Sequence, residues 1–288
     1  MVGRVPIIEQ CTVSSGVNND VTVEKLSDYL VRNENLVFPH RHNFYHFLLF
    51  TAGSGQHTID FEAFNIESWQ IYFMSPGQIH TWSFEGNMEG FVVNFNKDLF
   101  KTLLINPDYL SHFSFFSGVV KDEVFVVDVD KQKIVEDVLE KMRHHQNDKG
   151  LISTSLLYLF HLLEAGRERN TTFEANRYNH TLLRNFLQLI ELNYRKLRLP
   201  KDYASLLYIT PNHLNALCKE LLGMSAGEVI RDRVILEAKR LLVIRDFSIA
   251  EIAYELNFND NSYFTKFFKK IEGMTPEEFR KKNYNYGK

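Results

Sequence analysis

The sequence predicts an α+β chain of two domains, an antiparallel β-domain followed by an all-α module. Three observations carry this. Aromatic and β-branched runs alternate with turn signals between residues 36 and 95. The hydrophobic period changes to that of a helix after Asp130, and the last hundred residues contain a repeat.

In chain order, Phe47–Thr51 ends at Gly53-Ser54-Gly55, and His57–Phe61 follows. Ile71–Met74 closes at Ser75-Pro76-Gly77, Thr81–Phe84 closes at Gly86, and Phe91–Phe95 comes last. Short runs broken by turns in this way indicate an antiparallel sandwich or barrel, over residues 1–130. Ile134, Val135, Val138, Leu139 and Met142 then recur at helical spacing, as do Ile152, Leu156, Leu159, Phe160 and Leu163. Two helices are expected, over 131–145 and 151–165. They carry more apolar surface than one barrel needs, so a homodimer through Ile152, Leu156, Leu159 and Leu163 is expected. Residues 166–178 are polar and aperiodic and read as a linker. From 179 to 288 the pattern is helical in short pieces. Ser225-Ala226-Gly227-Glu228, Ser248-Ile249-Ala250-Glu251 and Thr275-Pro276-Glu277-Glu278 each fit a capping box.

Composition narrows the function classes. Hydrophobic residues at 44% and charged residues at 24% exclude a mainly disordered chain. Cys11 and Cys218 are the only cysteines, which excludes a disulfide framework or a CxxC clip and fits a reducing cytoplasm. Residues 1–10 show no secretory signal, and Leu151–Leu163 is too short for a bilayer of about 30 Å, so no membrane role is expected. Charge is uneven. Residues 1–176 hold 14 Lys and Arg against 23 Asp and Glu, whereas residues 177–288 hold 19 against 13. A basic second half suggests a polyanion partner, nucleic acid first.

The repeat is sharper evidence. At an offset of 50, Thr210–Glu228 aligns without gaps on Asp260–Glu278. Leu214 meets Phe264, Leu217 meets Phe267, Lys219 meets Lys269, Gly223 meets Gly273 and Met224 meets Met274; upstream, Leu206 meets Leu256. Each copy reads as helix, short turn and second helix, with units at about 199–222 and 248–272. The second helices turn Leu214 and Leu217, or Phe264, Phe267 and Phe268, inward. Asn212, His213, Asn215 and Lys219, then Asn261, Ser262, Thr265, Lys266 and Lys269, occupy the other face. Amides and hydroxyls suit base edges and lysines suit phosphates.

Residues Asp202–Lys219, Ser248–Lys270 and Gly273–Arg280 resemble the AraC family of bacterial transcription regulators. The resemblance implies seven helices with two helix-turn-helix units joined by a long central helix, here Ala226–Val243. It also implies base-facing positions at Asn212, Asn215 and Ala216, and at Asn261, Ser262, Thr265 and Lys266. Two positions depart from many relatives. Ala216 stands where Arg is frequent, which leaves only a thymine-methyl contact there. Asn257 stands where Gly is frequent, and Asn tolerates the left-handed conformation of a helix end. Cys218 falls on the inner face and reads as a core residue.

Pro39–His46 and Ser75–His80 resemble the cupin-like sensor domain of the same family, which implies a jelly-roll barrel with an interior pocket. Its expected ligand-binding residues are Arg41, Tyr45, Phe47, His57, Tyr72, His80 and Trp82, with Arg41 a partner for an anion. Metal-binding cupins use His-x-His, an acidic residue four positions on, and a distant His. Here His40, His42 and His80 fit, but His46 holds the acidic position. These four histidines are read as polar pocket or loop residues, so no metal and no cofactor is expected. The chain shows no Ser-His-Asp, phosphate-loop or zinc-clip constellation, so no catalysis is expected.

The expectation is a cytoplasmic, ligand-controlled regulator that binds promoter DNA as a homodimer. An unidentified small-molecule effector and, for an activator, RNA polymerase are the other partners. The alternative is a metal-dependent cupin enzyme with an accessory DNA-binding tail.

Overall fold

The computed structural model describes residues 7–8, 20–33, 38–104, 109–110, 113–116, 120–165, 174–244 and 247–283. The chain divides into two compact units, residues 6–171 and residues 172 onward.

The first unit holds β1 (Ile7–Ile8), β2 (Val21–Lys25), β3 (His40–His42), β4 (Tyr45–Ile59), β5 (Glu62–Asn65), β6 (Gln70–Met74), β7 (Ile79–Phe95) and β8 (Val124–Val126). They form one sheet in the order β1-β3-β7-β4-β6-β8, with β2 also on β7 and β5 on β4. Every pairing is antiparallel except β1 with β3. β4 and β7 pair from Tyr45 opposite Phe95 to Ile59 opposite His80, with irregularities around Ala52. A bulge adds a residue to one strand and re-aims the side chains beyond it. Thus His46, Leu48 and Phe50 before the irregularity share an inner face with His57 and Ile59 after it. The close approach needs glycine. Gly90 has φ 148°, and a Cβ there would lie 1.8 Å from the Leu49 carbonyl oxygen.

The helices of this unit are α1 (Leu26–Arg32), α2 (Val120–Glu123), α3 (Val129–His144) and α4 (Lys149–Glu164). Phe47, Leu49, Ile71, Phe73, Phe91, Val93 and Phe95 form the outer face of the sheet. That face packs on Val135, Leu139 and Met142 of α3 and on Ile152, Leu156, Leu159, Phe160 and Leu163 of α4. Phe73 stacks between Phe47 and Phe115, at centroid distances of 4.9 and 4.1 Å. This corrects the expected dimer residues. Ile152, Leu156, Leu159 and Leu163 are all buried in their own domain, because the sheet is wide enough to cover the helical stripe. Thr154, Tyr158 and His161 form the exposed side of α4.

The second unit is helical: α5 (Glu174–Asn193), α6 (Pro200–Leu206), α7 (Pro211–Leu222), α8 (Ala226–Ile244), α9 (Ile249–Glu255), α10 (Asn261–Glu272) and α11 (Pro276–Asn283). Of the expected linker, residues 166–173 lie outside the described residues, and from Glu174 the chain is already helix. The central helix α8 touches α5, α6, α7, α9 and α11 and buries Ile230, Val234, Ala238, Leu241 and Leu242. The three expected capping boxes form, with Ser225, Ser248 and Thr275 bonded to Glu228, Glu251 and Glu278.

The repeat is real but its offset changes. α7 and α10 are related by 50, whereas α6 and α9 are related by 49. Tyr208 and Asn257 take the same left-handed place, at φ 55° and 59°. Buried Tyr203 and Ala204 correspond to Ile252 and Ala253. The structural partner of Leu256 is therefore Leu207 rather than Leu206, and the second turn holds one more residue.

The covered stripe of α4 gives a direct test. Leu156→Ala should destabilise the first unit by about 2–5 kcal/mol in urea unfolding, through a cavity. Tyr158→Ala, on the exposed side, should cost within about 0.5 kcal/mol. Equal small costs would contradict this packing.

Candidate functional site

Five histidines meet inside the first unit. His40 and His42 come from β3, His46 and His57 from β4, and His80 from β7, and none is more than 3% exposed. Strand pairing places them: His40 lies opposite His80, and His80 opposite Ile59. Centroid distances are 4.2 Å for His40–His80, 4.7 Å for His42–His46, 4.9 Å for His42–His80 and 5.3 Å for His57–His80. Tyr29, Phe44, Tyr72 and Trp82 pack around them. The turn before His80 is pinned: the Ile79 N–H donates to Asp60, and the Gln78 amide donates to Asp60 and Glu123.

Hydrogen bonds fix several ring orientations. His40 Nδ1 donates to the Phe38 carbonyl at 2.9 Å, and His46 Nδ1 donates to Asn94 Oδ1. Each bond puts the proton on Nδ1 and leaves Nε2 with a bare lone pair. His57 Nε2 and His80 Nδ1 are 3.1 Å apart, so one ring donates to the other. Nε2 of His40, His46 and His80, and both nitrogens of His42, are buried with no hydrogen-bond partner among the described residues. A buried polar atom left unmatched costs about 1–3 kcal/mol, so bare nitrogens of this kind call for a partner. Burial holds the rings neutral. It pushes His40 down to about 4 and His46 to about 3, and His42, His57 and His80 fall well below the ordinary imidazole value.

The four histidines compared with the metal-binding cupin pattern, His40, His42, His46 and His80, are therefore together, and His40, His42 and His80 place one ligand atom each within 4.8 Å of one another. Of the expected ligand-binding residues, His57, Tyr72, His80 and Trp82 join them. Tyr45 and Phe47 do not: they pack on the outer face with Phe95, Phe116 and Phe73. Alternation along β4 sets this, since His46 faces in and its neighbours face out. Arg41 falls between two inward residues of β3, and so on the other side. Asn94 was not foreseen, although a lone amide in the apolar run Phe91–Phe95 is a signal.

The second unit presents two helix faces. On α7, Asn212, His213, Ala216 and Lys219 are exposed over buried Leu214, Leu217 and Cys218. On α10, Asn261, Ser262, Lys266 and Lys269 are exposed and Thr265 is half-buried, over buried Phe264 and Phe268. Thr210 caps α7 through the His213 N–H, and Asp260 caps α10 through those of Ser262 and Tyr263. Gly223 and Gly273 end the helices at φ 74° and 76°. Asn215 differs from the expected base contact. Its Oδ1 accepts from the Ala226 N–H at 3.1 Å, which leaves only its NH₂ group for a partner. Burial raises the Cys218 thiol to about 11, as befits an inert core residue.

Residues 203–282 match a family described as a helix-turn-helix domain, and residues 30–161 match the AraC-like ligand binding domain. The uncharacterized transcriptional regulatory protein YesN of Bacillus subtilis is 32% identical over 155 residues, covering 52% of this chain and 41% of its own. The probable transcription factor PqrA of Proteus vulgaris is 40% identical over 68 residues, covering 24% of this chain and 56% of its own. The chain thus spans about half the length of these relatives. A crystal structure of unsaturated-fatty-acid-bound ToxT from Vibrio cholerae aligns over 91% of this chain and 95% of its own, at 13% identity and a TM-score of 0.42. Among the described residues no helix is long and apolar enough to cross a membrane.

The buried imidazoles make stability depend on pH. Their folded pKa values lie below the unfolded value of about 6.5, so the unfolded chain binds more protons as pH falls. Their contribution is complete above that pH and is lost below it. In chelator-treated protein, His40 alone should cost about 2 kcal/mol of first-unit stability between pH 6.5 and 5. A flat unfolding free energy across that range would contradict neutral burial.

Proposed function

The chain belongs to the AraC family of transcription regulators, and from that membership we propose a sequence-specific, ligand-controlled DNA-binding role. The observation that supports it best is the pair α7 and α10. Each is a capped, glycine-stopped second helix of a helix-turn-helix, exposing amides or hydroxyls at its start and lysine further on. Such helices suit successive major grooves, about 34 Å apart along one face of DNA. Asn212, Asn261, Ser262 and Thr265 read bases. Lys219, Lys266 and Lys269 meet phosphates, and Ala216 offers at most a methyl contact.

Promoter DNA is the partner, and the cytoplasm is the place of action. The first unit takes a small-molecule effector in its histidine-lined interior. Effector controls DNA binding by favouring one state of the protein, which requires unequal affinity for the two states. A homodimer, and RNA polymerase contact where the protein activates, complete the reading. The dimer contact cannot be Ile152, Leu156, Leu159 and Leu163, which are spent on the core. The names of the relatives favour a regulator over a cupin enzyme with a DNA-binding tail.

The test is selection of genomic fragments by purified full-length protein at near-physiological salt. A few promoter fragments sharing one motif should be enriched, and on them Lys266→Ala should lower the slope of log affinity against log salt by about 0.9. Uniform recovery of all fragments, both by the full chain and by residues 172–288, would contradict sequence-specific binding.

A further inference from the structure

We propose that His40, His42 and His80 bind one divalent transition-metal ion in the interior of the first unit. Three observations carry it. One ligand atom from each ring lies within 4.8 Å of the others, whereas a tetrahedral zinc site with Zn–N bonds of about 2.1 Å brings such atoms to about 3.4 Å. Binding the ion requires the rings to close that difference. Nε2 of His40, both nitrogens of His42 and Nε2 of His80 are buried and bare among the described residues. The outer partners are also those of a metal site. The Phe38 carbonyl holds the His40 proton on Nδ1, and His57 can hold the His80 proton in the same way, which aims both Nε2 lone pairs inward. His46, whose ring centroid is 4.7 Å from that of His42, offers a further bare Nε2 fixed by Asn94.

The donor set selects the metal. All-imidazole ligation suits zinc, nickel, copper or iron and disfavours magnesium and calcium, which prefer oxygen. The ligands are neutral, so the ion keeps its full charge in a buried place, and a small anion such as hydroxide or a carboxylate completes the fourth position. As the effector site, this deepens the regulatory reading and rests on it. As a metal site it does not.

The experiment needs no DNA. Tag-free full-length protein is titrated with cobalt(II) and zinc(II), followed by visible ligand-field absorption and by metal content after gel filtration. Wild type should take up about one equivalent and melt at a higher temperature with metal than without. His42→Gln and His80→Gln should bind more than about 100-fold more weakly, and His57→Phe, which only orients His80, about 10–100-fold more weakly. His144→Ala and His145→Ala, at the exposed C-terminal end of α3, should leave binding unchanged. X-ray absorption of zinc-loaded wild type should show at least three imidazole ligands, which holds whether or not a variant folds. No uptake by wild type, fewer imidazoles, or uptake lost with His144 and His145 would overturn the site. Any of these would leave DNA binding untouched, just as failure to bind DNA would leave metal uptake untouched.

Discussion

The pairing of β4 with β7 is the constraint on which the first unit depends. These two strands run the length of the sheet and share both of its faces. Their ladder stays continuous past the irregularity at Ala52 because Gly90 lets the two backbones approach without a Cβ. The irregularity also switches which residues of β4 face inward, from His46 and Phe50 to His57 and Ile59. Without that switch His57 would point outward and could not reach His80. The outer face has a separate task. It meets α3 and α4 through stacked phenylalanines and supplies the apolar burial that offsets the cost of bare imidazoles inside.

The second unit solves a different problem, which is to hold two short helices rigidly while keeping one face of each free. α8 supplies the shared core. Capping boxes at Ser225, Ser248 and Thr275 and left-handed glycines at 223 and 273 set where each helix begins and ends. Asn215 joins this scaffold by capping the start of α8, so a residue that looks available for DNA is partly committed to architecture. The extra residue in the second turn leaves α10 equivalent to α7 but displaced in sequence relative to the helix before it.

Much of this was legible in the residues. Caps, terminal glycines and the repeat are local signals, and they located α7, α8 and α10 closely. The strand runs and the change of period at Asp130 were equally local. What escaped depends on long-range pairing. Strand register decides that Tyr45 and Phe47 face the helices while His46 faces the interior, and a bulge cannot be read from composition. The stripe on α4 looked available for a partner because nothing in it shows the width of the sheet that covers it. The His-x-His spacing was visible, yet the convergence of His57 and the fixing of His46 by Asn94 needed the ladder.

Linkage between the two proposed functions is the central proposal: occupancy of the histidine cluster is proposed to change how the helical unit meets DNA. The most direct measurement is a fluorescence-anisotropy titration of one selected promoter fragment with full-length protein, with and without saturating zinc(II), repeated with His42→Gln. Affinity should change at least about fivefold with the ion, in either direction, and not at all in the variant. Superimposable wild-type curves at confirmed metal saturation would contradict the claim.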